Sequence, residues 1–147
     1  MSAPPGLNPA ARTSLDLWHD MLLGADMRRL GDITSDAVVF RSPAFFKPYH
    51  GKSAFVFIIS AVSQIFEDFR YHRQFASSDG MNAVLEFEAR IGQRSLKGID
   101  MIRFDEDGLI AEFEVMIRPA NALAALAEKM SEKAGAGLAE YRAVTGR

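Results

Sequence analysis

The chain has 147 residues, a formal net charge of −2 and no cysteine. This length fits one domain with its own hydrophobic core, and the lack of cysteine excludes disulfides and thiolate metal ligands. A weakly acidic chain also lacks the basic surface that nucleic-acid phosphates require. We therefore expect a single domain over residues 1–147, with a core over about 9–134 between a flexible N-terminal arm and a C-terminal tail, and no nucleic-acid partner.

Three histidines, His19, His50 and His72, are scattered along the chain. None of them forms a pair with the spacing of a metal-binding motif, so no metal site is expected. The first residues have neither the positive nor the apolar segment of a secretion signal, and no uncharged apolar run reaches the ~18 residues that span a bilayer. The sequence therefore predicts a soluble cytoplasmic protein that does not bind a membrane.

The N-terminal part of the chain is predicted to be helical after a loose arm over residues 1–7. Asn8 and Pro9 are typical of a helix N-terminus. The apolar residues that follow recur at three- and four-residue spacing and predict one buried stripe: Ala11, Leu15, Trp18, Leu22 and Ala25. Asp26 can then cap a shorter helix that runs through residues 30–33.

Strands and one helix follow in the central part. Residues 36–41 are predicted as a strand, and the apolar periodicity over residues 53–66 predicts a helix with a broad buried face. Two more strands, residues 69–76 and 83–91, flank the turn-forming cluster at residues 77–80. The sequence therefore predicts an antiparallel pair after the helix.

The clearest strand signal is a hairpin in the C-terminal half. Residues 96–104 and 109–117 are mostly apolar or β-branched, and they flank Asp105-Glu106-Asp107-Gly108, a turn-forming cluster. Alternation along each strand predicts a core-facing set of Leu96, Gly98, Asp100, Ile102 and Phe104 and, across the hairpin, Leu109, Ala111, Phe113, Val115 and Ile117.

A carboxylate falls among these core-facing residues. Pairing Phe104 with Leu109 across the turn places Asp100 directly opposite Phe113. Burial of an ionised carboxylate is costly, so such a group pairs, binds water or a ligand, or stays protonated. Asp100 is therefore a candidate functional residue. The alternative is a structural role, in which Asp100 accepts a hydrogen bond from a backbone amide or from a core Ser, Tyr or Trp.

The strand before the hairpin follows the same alternation. With Ile91 opposite Arg94, its core-facing set becomes Ala83, Leu85, Phe87, Ala89 and Ile91. Lys97 then falls opposite Glu88 on the outer face as a predicted ion pair. A final helix is expected after Pro119 and up to the glycines at residues 135–137, with an exposed tail beyond it.

This element order predicts an α+β fold, in which N-terminal helices pack on one face of a curved, cone-shaped antiparallel sheet and an extra helix follows at the C-terminus. The outer face combines apolar residues with charges of both signs: Ile99, Met101, Ile110 and Met116 with Glu86, Glu88, Arg90, Arg103, Glu112 and Glu114. Such a surface suits a two-fold contact, so a homodimer through the outer face is expected.

Three segments carry a resemblance to a known family: Leu22 to Asp26 after the first helix, Asp36 to Phe40 as the first strand, and Gly98 to Phe104 with Asp107-Gly108 behind it. With this element order, the chain resembles the nuclear transport factor 2-like superfamily, which has a cystatin-like fold, and within it the SnoaL-like polyketide cyclases and ketosteroid isomerases. The resemblance identifies the fold better than the function, because this scaffold hosts isomerases, cyclases, dehydratases, epoxide hydrolases and non-catalytic binders.

The resemblance also implies roles for particular residues. Asp100 matches the acid that ketosteroid isomerases keep protonated to donate to an enolate oxygen, which is a well-known case of pKa tuning. Trp18 matches the tyrosine that completes the oxyanion hole, and its indole N–H can donate. Ser42 stands where those isomerases hold the aspartate base, and a serine without a partnering base cannot abstract a proton. The Arg-x-Asp signature of the epoxide hydrolases is missing, because Gly98 stands where the arginine should be.

The predicted site is thus an apolar pocket with Asp100 and Trp18 as catalytic candidates. Its other expected lining residues, which would bind a small and largely apolar ligand, are Leu22, Phe40, Ser42, Phe55, Ile58, Phe87, Ile102 and Phe113. One hypothesis is a cofactor-free isomerase, cyclase or dehydratase that uses Asp100; the other is a non-catalytic binding or dimerisation module. The sequence leaves open the orientation of His72 and the roles of His50 and Arg41.

Overall fold

The computed structural model describes residues 2–145. This part of the chain forms three α-helices, one 3₁₀ turn (Leu30–Ile33) and six strands. The helices are α1 (Pro9–Gly24), α2 (Lys52–Ser63) and α3 (Ala120–Thr145). The strands are β1 (Thr34–Arg41), β2 (Tyr49–His50), β3 (Glu67–Ala76), β4 (Asn82–Ile91), β5 (Arg94–Phe104) and β6 (Ile110–Arg118).

All six strands belong to one sheet, in the order β2-β1-β6-β5-β4-β3. β1 runs parallel to β6, whereas every other pair of neighbours is antiparallel. The sheet is curved and does not close, and the helices cover one of its faces. The predicted α+β class, with N-terminal helices on a curved sheet and an extra C-terminal helix, is confirmed.

The N-terminus of α1 is formed as the sequence predicts. The Asn8 side chain accepts a hydrogen bond of 3.0 Å from the Ala10 amide, and Pro9 occupies the first turn, where its missing N–H has no cost. The helix ends at Gly24 and is capped by Ala25, which has a left-handed φ of 51°. Ala25 is exposed, so it was wrongly assigned to the buried stripe.

The arm before α1 packs on the domain, in contrast to the predicted loose arm. Ala3 and Leu7 are buried. The amide of Asn8 donates to the carbonyl of Gly80 at 2.9 Å, and the Arg12 side chain donates to the carbonyl of Pro4. The arm is thereby attached to the turn between β3 and β4, because its apolar side chains and its backbone both find partners there.

The pairing of β4 with β5 confirms the predicted register. Ile91 lies opposite Arg94, and the predicted core-facing residues of β4 are all buried. Lys97 lies opposite Glu88 in the register, but its ammonium is 3.5 Å from a Glu86 carboxylate oxygen. The predicted ion pair with Glu88 is therefore wrong, and the Glu88 carboxylate instead contacts Arg70 and His72 of β3.

The pairing of β5 with β6 differs from the prediction by one residue at Phe104, which pairs with Ile110, and by two at Asp100, which lies opposite Val115. The first residue of this shift comes from the turn, because the Asp105 carboxylate accepts hydrogen bonds from the amides of residues 107 and 109 and Leu109 belongs to the loop. The second comes from an irregularity in the pairing between Arg103 and Phe104. Ile110 is buried as a result, although the sequence placed it on the outer face.

The C-terminal helix also differs from the prediction. α3 bends at Ala134, whose φ and ψ are −141° and 15°, and then continues to Thr145. Beyond the bend, Leu138 is buried and the Tyr141 ring packs 5.4 Å from the Phe57 ring. A Cβ at Gly137 would lie 2.4 Å from the Phe57 ring, so the glycine permits this close contact. The predicted exposed tail is therefore a second helical segment that packs on α2.

We predict that Gly108→Ala destabilises the domain more than Gly92→Ala does. Both glycines have positive φ, 80° and 59°, but only a Cβ at Gly108 meets α1, at 2.5 Å from the Ala10 backbone. Gly92→Ala should cost about 1 kcal/mol for its backbone conformation alone, and Gly108→Ala should cost about 2–4 kcal/mol because α1 must shift. Urea denaturation measures both, and equal losses would show that α1 does not depend on this contact.

Candidate functional site

A cavity of about 200 Å³ lies between the sheet and the helices, and its walls are mostly apolar. Eight of the residues that the sequence assigned to the pocket lie on its walls: Trp18, Leu22, Phe40, Ser42, Ile58, Phe87, Asp100 and Phe113. Their roles toward a ligand remain predictions, but the structure brings them together around one space.

Two predicted lining residues do not reach the cavity. Phe55 and Ile102 are almost completely buried in the core, at 0% and 1% exposure. The Phe55 ring packs 5.3 Å from Phe113 and 5.7 Å from Phe40, so it supports the wall from behind. Both residues were correctly expected to face inward, but alternation cannot tell which inward-facing side chains end at the cavity and which fill the core.

A large part of the wall was not predicted. It comes from the loop after β1, from β2, from the end of α2 and the start of β3, from β6 and from α3: Pro43, Ala44, Phe45, Tyr49, Ile59, Val62, Ser63, Phe66, Phe69, Val115, Ile117, Leu126, Ala127, Met130, Ser131, Leu138 and Arg142. The α3 residues beyond the bend were missed because the glycines were taken as a helix stop. The amphipathic spacing of Leu138, Tyr141 and Arg142 was the available signal.

Three polar side chains form a buried hydrogen-bonded chain at the cavity. The Trp18 indole N–H donates to the Tyr71 hydroxyl at 2.9 Å, and that hydroxyl donates to Asp100 Oδ2 at 2.5 Å. Asp100 makes no other protein hydrogen bond in the described part of the chain, so Oδ1 has no protein partner, and the residue lies on the cavity wall. One carboxyl oxygen is thus held while the other is available to a ligand.

The environment of Asp100 favours its neutral form. Burial raises the pKa of its carboxyl from 3.8 to about 7, and the hydrogen bond from Tyr71 opposes this rise. Burial also raises the pKa of the Tyr71 hydroxyl well above 10, with a further contribution from the neighbouring Asp100. Tyr71 is therefore a neutral donor at all physiological pH values, and Asp100 is the member of the chain that titrates near neutrality.

Tyr71 was not among the predicted site residues. The sequence left open which way the side chains of β3 point, and the structure shows why: the pairing of β3 with β4 shifts register twice, before Arg70 and again between Tyr71 and Gln74. Simple alternation cannot be followed through such bulges. With His72 on the outer face, Tyr71 points inward, and a buried phenol beside a buried carboxyl was the signal that could have identified it.

Ser42 lies on the rim of the cavity, but its hydroxyl is engaged by backbone. Its Oγ accepts hydrogen bonds from the amides of Ala44 and Phe45, at 3.3 and 3.1 Å. Asp100 is the single carboxylic acid among the cavity-lining side chains of residues 2–145. The site therefore contains one carboxyl group, held by a phenol, and a serine that organises a turn.

The charged residues whose roles the sequence left open lie outside the cavity. His72 Nε2 is 2.9 Å from Glu88 on the outer face of the sheet, and the Arg41 guanidinium is 3.9 Å from Glu112. His50 is exposed on β2. Among these residues none contributes to the cavity wall.

His19 is a buried titratable group close to the site. It is 2% exposed, neither ring nitrogen has a hydrogen-bond partner, and its ring lies 5.5 Å from the Tyr71 ring. Burial lowers the pKa of His19 from its usual 6.5. The imidazole is therefore neutral beside Tyr71 and adds no charge to the chain of hydrogen bonds.

Within residues 2–145 there is no cluster of three or more His, Cys, Asp or Glu side chains arranged to hold a metal ion. None of the helices described there combines the length and the apolar character needed to cross a bilayer.

Comparisons with known proteins agree with this geometry. A family model for the SnoaL-like domain matches residues 15–113. A steroid delta-isomerase from Pseudomonas aeruginosa is 47% identical, with a TM-score of 0.88 over 93% of this chain and 99% of the other. An uncharacterised protein with a cystatin-like fold from Silicibacter pomeroyi is 27% identical, with a TM-score of 0.82 over 94% and 95%. No functionally curated protein matches the sequence.

A third similar structure, an NTF2-like protein of unknown function from Mesorhizobium loti, is 16% identical, with a TM-score of 0.70 over 81% of this chain and all of the other. At that identity only the fold is shared. The chain belongs to the SnoaL-like family, and the predicted family is therefore confirmed.

We predict that Asp100→Asn stabilises the domain, and increasingly so between pH 5 and pH 8. Between about pH 4 and 7 the folded protein keeps a proton on Asp100, whereas the unfolded chain has already released it. The stability of the wild type therefore falls as the pH rises through that window and levels off above it. A rise in pKa from 3.8 to about 7 corresponds to a cost of about 4 kcal/mol at high pH. Asparagine avoids this cost and still accepts from Tyr71.

Thermal and urea denaturation at several pH values measure this difference, which should grow by about 2–3 kcal/mol from pH 5 to pH 8. Asp100→Leu serves as a control: it also removes the charge but leaves the Tyr71 hydroxyl without an acceptor, at a cost of about 1–3 kcal/mol relative to asparagine. Phe113→Ala, a core truncation, should destabilise equally at every pH. A pH-independent difference for Asp100→Asn would contradict the assigned titration.

Proposed function

We propose that the protein is a cofactor-free enzyme that moves a proton at a carbon next to a carbonyl group in a small, largely apolar ligand, as isomerases, cyclases and dehydratases do. One observation carries the proposal: Asp100 is held through Oδ2 by Tyr71 at 2.5 Å and lies on the wall of an apolar cavity, with Oδ1 open to a ligand. A proton-transfer group works best when its pKa lies near the working pH.

In the proposed reaction, ionised Asp100 takes the proton from the carbon next to the carbonyl. The C–H electron pair moves into the new double bond, and the carbonyl oxygen becomes an enolate. Asp100 then returns the proton to another carbon of the conjugated system, so the electron pair shifts back and the carboxylate is regenerated. Because Ser42 supplies no base, one carboxyl group performs both transfers, and the ligand needs no external oxidant or metal.

Tyr71 and Trp18 support Asp100 in this mechanism. Tyr71 fixes the carboxyl orientation and keeps its pKa from rising further. Trp18 orients the Tyr71 hydroxyl, since the indole N–H is donated to the phenol and not to the cavity. A direct contact from Trp18 to a ligand carbonyl, as the resemblance implies, requires that this hydrogen bond be exchanged. We therefore assign Trp18 a positioning role.

The similarity to a steroid delta-isomerase at 47% identity supports this reaction class. Ketones with a conjugated or conjugable double bond, steroid ketones among them, are therefore the first substrates to examine. The serine at position 42 distinguishes this site from the two-carboxyl arrangement that the family resemblance implies for ketosteroid isomerases.

We predict that the wild type catalyses exchange of the α-hydrogens of apolar enolisable ketones with deuterated solvent, with a rate that rises through about pH 7 as Asp100 ionises. Proton NMR measures this exchange. Asp100→Asn should lower the rate by about 10²–10⁴-fold. Tyr71→Phe removes a hydrogen bond that lowers the pKa of Asp100, so it should move the rising limb to higher pH.

A rate that falls through the same pH range would instead assign protonated Asp100 as a donor to the carbonyl oxygen. No exchange above background for steroid and smaller ketones, or exchange that Asp100→Asn leaves intact, would reject the enzymatic proposal. The alternative is a binding module that has the cavity without the chemistry. The observation that favours it is Ser42, whose hydroxyl is occupied by two backbone amides at the position where the isomerases hold a base.

We also propose that the outer face of the sheet forms a homodimer. Met101 and Met116 lie on neighbouring strands of this face and are 41% and 46% exposed. Cross-strand ion pairs such as Arg73–Glu86 and Arg103–Glu112 surround them. A surface with an apolar centre and charges of both signs is complementary to a second copy of itself.

We predict that Met101→Glu gives a monomer in analytical ultracentrifugation, because it places two carboxylates near the two-fold axis. Leu23→Glu is the matched control: Leu23 is 77% exposed at the end of α1, away from the outer face, and this variant should remain dimeric. If Met101→Glu sediments as the wild type does, the outer face is not the interface.

A further inference from the structure

Arg142 is the single cationic side chain on the cavity wall within the described residues. It lies near the end of α3, beyond the bend that brings this segment back onto the domain. Its guanidinium carbon stands 4.2 Å from the centre of the Phe45 ring, and its Nε donates weakly to the Leu138 carbonyl at 3.4 Å. Arg142 makes no ion pair with a carboxylate in the part of the chain that the structure describes.

This placement leaves most of the guanidinium donors available. An arginine has five N–H groups in a planar, fork-shaped arrangement that matches a carboxylate. Stacking on an aromatic ring orients the guanidinium plane and leaves its N–H donors available. Phe45 and Leu138 are themselves cavity-lining residues, so the fork is positioned at the edge of an apolar space. Burial raises the pKa of the hydroxyl of Tyr49, another wall residue, and the charge of Arg142 opposes that rise.

The two ionisable groups Asp100 and Arg142 occupy different parts of the cavity wall. The pKa of Asp100 is set by burial and by Tyr71, and Asp100 lies on β5 in the middle of the sheet, whereas Arg142 lies on the helix that covers the cavity. Arg142 therefore does not neutralise Asp100. A ligand that spans the apolar walls can meet a proton-transfer group at one end and, at the other, a guanidinium that forms no ion pair with the described residues.

We propose that the natural ligand is an amphipathic keto acid, with an apolar body in the cavity, an enolisable ketone at Asp100 and a carboxylate bound by Arg142. The keto part rests on the proposed function, and the acidic part rests on Arg142 alone. A carboxylate in this position forms charge-assisted, bidentate hydrogen bonds at the edge of a low-dielectric space, which are stronger than those made by a neutral group.

A structural role for Arg142 is the competing explanation. A cation in the last turn of a helix interacts favourably with the helix dipole, and its stem and ring contact can simply hold α3 in place. Under that explanation, replacement of Arg142 loosens the cavity wall and weakens every apolar ligand equally. A pair of ligands that differ only in charge therefore separates the two roles.

The experiment uses calorimetric titration of the full chain with 2-naphthylacetate and with its neutral amide, 2-naphthylacetamide. For the wild type, the acid should bind at least about 5-fold more tightly than the amide. Arg142→Gln should weaken the binding of the acid by about 5–20-fold and leave the affinity for the amide within about 2-fold of the wild-type value. Arg142→Lys keeps the charge without the fork, so it should retain part of the preference. The preference should also decrease as salt is added.

Arg29→Gln is the matched control, because Arg29 is exposed at the start of the 3₁₀ turn, does not line the cavity and, among the described residues, forms an ion pair with Asp32; it should not change either affinity. The proposal is overturned if the wild type binds acid and amide equally, if it binds neither, or if Arg142→Gln weakens both ligands to the same extent. Deuterium exchange of a neutral ketone does not need Arg142, so exchange without acid preference rejects only this inference. Acid preference without exchange rejects the proposed chemistry and leaves a binding site for apolar acids.

Discussion

The hydrogen bond from Tyr71 to Asp100 is the interaction on which the site depends. A carboxyl group in an apolar cavity has two unfavourable states, charged without solvation or neutral without a partner, and a single phenol donor makes both tolerable. Several hydrogen-bond donors would hold Asp100 ionised at all pH values of interest, whereas the absence of any donor would leave it protonated. The single contact at 2.5 Å leaves the carboxyl in between, with a pKa of about 7. The indole of Trp18 behind the phenol fixes its direction.

The pairing of the strands on either side of Asp100 explains which features of this contact could be predicted from the sequence. Asp100 was expected to face inward from the alternation along the strands of the C-terminal hairpin, and its burial confirms this direction. Alternation is followed here because β4 and β5 pair without interruption from Asn82 to Arg103. The partner of Asp100 across β6 was wrong by two residues, because the Asp105 side chain extends the turn to Leu109 and the pairing shifts once more between Arg103 and Phe104. These two local irregularities changed the register without moving Asp100 to the other face.

Tyr71 and the C-terminal wall could not be predicted for related reasons. The bulges of β3 interrupt the alternation on both sides of Tyr71, so its direction is set by tertiary packing. The glycines of α3 have the composition of a helix stop, yet they allow a bend and a close approach to Phe57, and the helix continues because Leu138 finds a buried place. The family resemblance indicated the fold and Asp100. The phenol of Tyr71, which sets the pKa of Asp100, and the guanidinium of Arg142 at the cavity edge were found only in the structure.

Trp18 has a further consequence as the sole tryptophan of the chain. Its indole N–H donates to the Tyr71 hydroxyl, which donates in turn to Asp100, and the residue lies on the cavity wall. Ultraviolet excitation of the unmodified protein therefore places its only indole chromophore two hydrogen bonds from the titrating group. The intrinsic fluorescence emission therefore reports the electric field at Asp100 during titration or turnover. It needs no added label and has no background from a second indole.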